Sequence, residues 1–478
     1  MFFTSSPTYT IFIRLKFRNI PGMLGNITSV ITRMGGEVRG VELVETSRYW
    51  VIRDIHVNVR DGNHAKEIIK ELSSVDGVSV EFVSDRTFLA HLHGKLEVVS
   101  KRRITTTEDL ARIYTPGVGR VVKAIEKIPD IAFTHTIKSN TVAIVTDGSA
   151  VLGFGNVGPY AAIPVMEGKA AILKEFAGVN GFPICIATQD VDKIVEVVKM
   201  ISPVFGAINL EDISAPRCFE VERRLQEELD IPVMHDDQHA TAIVILAALL
   251  NSLKIVSKSL QDVKIVINGA GAAGLATAKL LLKMGVKNLI LCDKKGAIGN
   301  DGENALNEYQ ADVAQYTNPD NYKGDLKGAL KGADVFIGLS VGNILKGEDL
   351  KVMEKDAIVF TLANPIPEVN PIEAEMYARI VATGRSDFPN QINNALVYPG
   401  FFKGVLSVRA KKILDDMKIA AAYAIANLID DSELYEEYII PSIFDRRVVD
   451  TVADAVAAIA IREGITRKLE QIKDISEF

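Results

Sequence analysis

The sequence predicts an α/β protein of several units, and three patterns carry that expectation. Residues up to about Asp85 alternate strand-like and helix-like segments in a βαββαβ order. A glycine-rich turn, Asn268-Gly-Ala-Gly-Ala-Ala-Gly274, joins an apolar run to a helix-like segment. From Val263 onward the apolar runs are continuous rather than alternating, as in strands of a parallel sheet covered on both faces. At about 100–200 residues per domain, a chain of 478 residues, 48% of them hydrophobic, has room for two to four domains.

The first unit is legible element by element. Ile11, Ile13, Leu15 and Phe17 alternate with Phe12, Arg14 and Lys16, the period of a half-buried strand. Asn19-Ile-Pro-Gly22 breaks the chain, and Leu24, Ile27, Val30, Ile31 and Met34 then share one helix face that Gly35-Gly36 ends. Strand-like runs Val41 to Thr46 and Trp50 to Val59 follow, then a helix around Ala65 to Leu72 and a strand Val78 to Val83. That order implies an antiparallel, ferredoxin-like sheet with two helices on one face. Phe88 to Arg103 reads as a connector.

From Asp109 to about His239, helices mix with short strands. Beyond Thr241 the runs Val263–Ile267, Leu289–Cys292, Val335–Leu339, Ile358–Leu362 and Ile380–Ala382 alternate with helical segments, and Val408 to Phe478 reads as helices only.

Val263–Ile267 enters the glycine-rich turn, which opens the helix-like LATAKLLLKMG, so the pattern is that of a Rossmann-type dinucleotide site. Gly269 makes the tight turn, and Gly271 with Ala272 and Ala273 lets backbone N–H groups approach a pyrophosphate. Gly274 allows close helix–strand packing, and the helix N-terminus faces the anion. The next strand ends in Asp293, whose carboxylate accepts from ribose hydroxyls and repels a 2′-phosphate, favouring NAD. Lys294 and Lys295 can offset a phosphate, which leaves NADP open.

Two carboxylate pairs each follow an apolar run: Glu211-Asp212 and Asp236-Asp237. Sites in open α/β sheets form outside the carboxyl ends of strands. Three or four carboxylate oxygens without a thiolate suit Mg²⁺ or Mn²⁺, although acidic residues there also cap helices. Lys169 lies in the apolar stretch after Gly168, where desolvation is expected to lower its pKa and ready it as a base. Tyr114 precedes a Pro-Gly turn that can hold a phenol facing a cleft.

Charge and cysteine usage narrow the function classes. With 54 basic against 61 acidic residues the net charge is -7, and no Lys/Arg block marks a nucleic-acid or anionic-membrane surface. Cys185, Cys218 and Cys292 form no CxxC pair, which fits a reducing, cytoplasmic setting. The N-terminus lacks the charged region, apolar core and cleavage site of a signal peptide. The apolar run Ala242 to Leu250 is far shorter than the about 18 residues of a membrane-spanning helix.

Taken in order, YTPGV, TDGSAVLGFGNVGP, MEGKAAILK, INLEDI, HDDQHATA, INGAGAAG, LANPIPE and NQINNALVYPGFFKG resemble malic enzyme in its shorter prokaryotic-type form. The first unit resembles the ACT domain, a small-molecule sensing module. The resemblance implies three domains: 1–88 (ACT-like), 89–240 (substrate and metal) and 241–478 (Rossmann with C-terminal helices). It implies oxidative decarboxylation of (S)-malate to pyruvate with NAD or NADP, decarboxylation of oxaloacetate, a divalent metal and at least a homodimer. By the family's motifs Tyr114 is the general acid, Lys169 the general base, and Asp236 the carboxylate supporting it. Metal ligands fall on Glu211, Asp212 and Asp237. Asn364 and an asparagine of QINN, Asn394 in preference to Asn393, line the substrate and nicotinamide site.

The chain departs from the family at Ala240 and Tyr160, where Gly and Glu are usual, and at Ala150, where larger members carry an arginine for the substrate carboxylate. Two other readings stand beside this one. An amino-acid dehydrogenase also pairs a Rossmann domain with a catalytic lysine, but it needs no metal, so Glu211, Asp212 and Asp237 count against it. A non-catalytic effector- or redox-sensing protein would have no need of Tyr114, Lys169 and three ligands.

Overall fold

The computed structural model describes residues 9–151 and 153–467, so the first eight residues and the part of the expected C-terminal helices beyond 467 lie outside it. The chain divides into two compact units, Met1–Glu97 and Val98–Phe478.

The first unit holds β1 (Thr10–Arg18), α1 (Met23–Arg33), β2 (Glu37–Thr46), β3 (Trp50–Asn58), α2 (Gly62–Ser73) and β4 (Val78–Asp85). The sheet is antiparallel in the order β2-β3-β1-β4. Ile11, Ile13, Leu15 and Phe17 point to the core, where Ile27 and Ile31 of α1 and Ile68 and Leu72 of α2 meet them. The expected connector from Phe88 begins instead inside a short helix, α3 (Arg86–His91). Asp85 starts it by accepting from the backbone N–H groups of Thr87 and Phe88, satisfying donors that a helix end leaves free.

The second unit opens with α4 (Thr107–Ile113), α5 (Val118–Lys127) and α6 (Ala132–His135). Its first sheet is parallel throughout in the order β6-β5-β7-β8, from β5 (Thr141–Thr146), β6 (Asn180–Cys185), β7 (Ala207–Leu210) and β8 (Val233–His235). Between them run α7 (Gly158–Ala177), α8 (Val191–Ile201) and α9 (Arg217–Glu228). Next comes α10 (Asp236–Val256), buried from Ala242 to Leu249 and packed on the helices that follow. Among the described residues it alone is long and apolar enough to cross a membrane, yet 67% of its most apolar window is buried inside the protein. It is a core helix.

The second sheet has the order β11-β10-β9-β12-β13-β14: β9 (Lys264–Asn268), β10 (Asn288–Asp293), β11 (Gly296–Ala297), β12 (Val335–Gly338), β13 (Ile358–Thr361) and β14 (Ile380–Thr383). All its pairings are parallel except the β10/β11 hairpin. β12, β13 and β14 are buried at every residue, which is why their sequences do not alternate. Helices α11 (Ala272–Lys283), α12 (Glu308–Ala314), α13 (Leu326–Ala329) and α14 (Pro371–Ala374) connect the strands. Then α15 (Tyr398–Ser407), α16 (Asp415–Ala426) and α17 (Arg447–Arg462) pack on one another, with α16 also against α10.

Candidate active site

Parallel pairing of β7 with β8 sets Leu210 opposite His235, so the two acidic pairs leave the sheet side by side at its carboxyl edge. One ligand oxygen from each of Glu211, Asp212 and Asp237 lies within 4.8 Å of the others. Asp212 takes φ 53°, a left-handed conformation Asp enters more readily than most residues. Its backbone N–H donates to Asp237 Oδ2 at 2.8 Å. Glu211 Oε2 accepts from Asn209 Nδ2 at 2.9 Å, while Asp212 Oδ2 is buried without a partner. Burial, then the charge of Asp237, lifts the Asp212 carboxyl to about 7. Burial likewise drives the Glu211 carboxyl well above the usual range. Crowded buried carboxylates with an unpartnered oxygen are a donor set suited to a hard divalent cation.

Lys169 reaches the cluster from α7. Its Nζ lies 2.5 Å from Asp236 Oδ2, 2.9 Å from Glu211 Oε1 and 4.5 Å from the ring centre of Tyr398. The expected fall in its pKa does not occur. Burial pushes the ammonium down, but the attraction of Asp236 and Glu211 outweighs it and holds Lys169 well above the ordinary lysine value. Asp236 Oδ2 also accepts from Asn394 Nδ2 at 2.5 Å. Asn393 instead turns its Oδ1 to the backbone N–H of Ala395 at 2.8 Å. His235, fully buried, sets Nε2 3.2 Å from Asp237 Oδ2. Glu222 fixes the same loop from α9, accepting from the His235 backbone N–H, Gln238 Nε2 and His239 Nε2.

The glycine turn has the geometry its sequence predicts. Gly269 stands at φ 109° beneath the Leu339 carbonyl, and a Cβ on Gly274 would lie 1.8 Å from the Gly269 carbonyl oxygen. Gly271 faces open space, leaving room for a phosphate against the N-terminus of α11. Asp293 ends β10 and accepts from Gln310 Nε2 at 2.7 Å and the Lys294 backbone N–H at 2.8 Å.

A cleft of about 780 Å³ runs from Gly271, Ala272 and Ala273 past Ser340 and Asn364 to Asp237, Asn393 and Asn394. Among the described residues lining it, Asp237 alone carries a charge, so no arginine replaces the one missing at Ala150. Arg217 lies two residues beyond the lining residue Ala215, but it pairs with Asp147 at 3.2 Å.

The structure thus gathers Lys169, Glu211, Asp212, Asp236, Asp237 and Asn394, and it puts Asn364 on the same cleft. It does not bring Tyr114 there. That residue ends α4 with 66% of its surface exposed, and it is not among the residues lining the cleft. Tyr160 is exposed and Ala240 buried. Tyr398, His235, Glu222 and Gln310 went unread in the sequence. Each acts by a contact with a residue remote in the chain or by packing, and only the VYPG motif around Tyr398 offered a signal.

A phosphate-ready turn joined by one cleft to Asp237 and Asn394, with Lys169 held beside them by Asp236, is the arrangement of a dinucleotide-linked oxidoreductase. Residues 93–226 match the malic enzyme N-terminal domain, 239–461 the malic enzyme NAD binding domain, and 5–80 an ACT domain. The chain belongs to the malic enzyme family. It is 54% identical over 456 residues to an NAD-dependent malic enzyme of Geobacillus stearothermophilus, covering 95% of each chain. It is 51% identical over 392 residues to a bifunctional malic/malolactic enzyme of Bacillus subtilis, covering 81% of this chain and 96% of that one. The crystal structure of an NAD-dependent malic enzyme from Thermotoga maritima superposes with a TM-score of 0.76 at 48% identity, over 78% of this chain and 99% of that one.

Replacing Gly274 by Ala forces a Cβ into the Gly269 carbonyl. NAD⁺ affinity measured by calorimetry is expected to fall at least about tenfold, with the far-ultraviolet circular dichroism unchanged.

Proposed function

We propose that the chain converts (S)-malate and NAD⁺ to pyruvate, CO₂ and NADH, using Mg²⁺ or Mn²⁺ held by Glu211, Asp212 and Asp237. The observation that carries this reading is the cleft reaching from the dinucleotide turn to Asp237 and Asn394, with Asn394 bonded to the same Asp236 oxygen as Lys169. When bound, NAD⁺ accepts the C2 hydride and the cation polarises the C2 oxygen.

Lys169 removes the C2 hydroxyl proton, and Asp236, with Asn394, holds its Nζ in place. Nζ must first give up its own proton, and neutralising Glu211 weakens one of the two attractions that keep it charged. Asn364 and Asn394 orient the substrate and the nicotinamide. Tyr114 returns a proton to C3 after C4 leaves as CO₂. The same machinery decarboxylates oxaloacetate. Asp293, steadied by Gln310, selects NAD over NADP. Three unpaired cysteines support a reducing, cytoplasmic setting. The division 1–88, 89–240 and 241–478 assigns sensing, metal chemistry and cofactor to separate domains.

Assembly follows from an uncovered surface. Leu110, Ile113, Tyr114, Val118 and Val122 on and between α4 and α5 are all exposed, a concentration of apolar surface that marks an interface. A homodimer formed here covers it. Since Tyr114 sits within this patch and outside its own chain's cleft, its role as the acid requires the patch to meet a cleft on assembly. The ACT unit supplies the site for a small-molecule effector.

Purified protein with malate, NAD⁺ and Mn²⁺ is expected to form pyruvate, with a higher kcat/KM for NAD⁺ than NADP⁺. Lys169→Ala should lower kcat at least about 10²-fold while NAD⁺ still binds; pyruvate production indifferent to a chelator would defeat the assignment. Mixing inactive Tyr114→Phe with inactive Lys169→Ala chains is expected to restore part of the activity, and no recovery in demonstrated mixed dimers means that Tyr114 does not act across the interface. Deleting residues 1–97 should abolish any amino-acid or organic-acid ligand response found by thermal-shift screening of the full chain; a response that survives the deletion places the effector elsewhere.

A further inference from the structure

The segment His235–His239, from the end of β8 into the first turn of α10, separates two hollows. Asp237 lines the cleft, whereas Gln238 and His239 line a second cavity of about 280 Å³ that shares no lining residue with it. Its walls come from α9, α10, α11, α12 and α16, all remote in sequence from the ACT unit. Such a volume admits only a small molecule.

The lining sets three cations against two acids. On α9, Phe219 stands one helical turn before Arg223, and on α11 Leu275 stands one turn before Lys279, so each helix offers an apolar residue beside a cation. Phe219 and Tyr309 bring their ring centres to 4.7 Å, forming an aromatic wall. Lys418 adds a half-buried cation from α16, paired with Asp415 at 3.0 Å. Arg223 is committed to Glu220 and Glu227, but Lys279 has no ion-pair partner among the described residues. Two acids line the cavity: Glu222, occupied by three donors from the end of β8 and the first turn of α10, and Asp415, paired with Lys418.

We infer that this cavity is a second binding site, for a small organic anion whose carboxylate or phosphate meets Lys279 and Lys418 and whose apolar body lies on Phe219 and Tyr309. Glu222 joins the site directly to the loop bearing Asp236 and Asp237. The binding claim is independent of the proposed reaction.

Isothermal titration of the full chain with phenyl phosphate, phthalate and inorganic phosphate tests it. One saturable site per chain is expected for phenyl phosphate or phthalate, and the tighter of the two identifies the headgroup. Lys279→Glu is expected to weaken binding at least about tenfold, and Lys418→Gln severalfold, with malate turnover in the absence of the anion unchanged. Asp237→Asn, at a residue that lines the cleft and not the second cavity, should leave binding intact. The inference is overturned by absence of saturable binding of both aromatic anions, by binding indifferent to Lys279→Glu and Lys418→Gln, by loss of binding in Asp237→Asn, or by equally tight binding of inorganic phosphate.

Discussion

Four carboxylates and one ammonium share a buried pocket at the carboxyl edge of a parallel sheet, and most of the catalytic unit can be read as the means of holding them there. Glu211, Asp212 and Asp236 are almost wholly removed from water, and Lys169 supplies a single compensating charge. Buried charge of one sign is costly unless it is paired or binds a cation. The raised carboxyls of Glu211, Asp212 and Asp236 are the direct expression of that cost. Asp237 departs from the pattern: burial pushes it up, but His235 beside it pulls it below the usual range.

The scaffold answers with fixed partners. Adjacent parallel strands end in register, so the two acidic pairs need no long loop to meet. Glu222 braces the second pair from behind through backbone and side chain, and it stays ionised, near 2, because His239 offsets the effect of its burial. Helix α10 begins at the second pair and runs as a buried rod against α11, whose own N-terminus is the dinucleotide turn. The metal-type cluster and the cofactor turn are therefore mounted on two helices packed against each other, which keeps the cleft between them at a defined width.

Local chemistry explains what the sequence disclosed. Alternation in Ile11–Phe17, the glycine spacing of 269–274 and acidic pairs after apolar runs are all set within a few residues, and the structure has each where its pattern implies. Contacts across long separations were silent. Lys169 was expected to be a weakened cation from its apolar neighbours in the chain, but its charge state depends on Asp236, 67 residues away. Tyr398 and Gln310 reached the site in the same way. Tyr114 shows the opposite failure: its motif was plain, yet the motif says nothing of which surface the residue faces.

The contrast between Lys169 and Tyr114 bears on how such a site controls chemistry. A lysine set between two carboxylates is held as a cation, so its charge state follows that of Asp236 and Glu211. The Tyr114 phenol, by contrast, is largely exposed to water and does not line the cleft. The two residues differ in physical setting: the charges of its neighbours govern Lys169, whereas solvent governs Tyr114. The net charge of -7 includes these four carboxylates, and Lys169 balances only one of them, so part of the acidic excess of the chain is concentrated in this cluster.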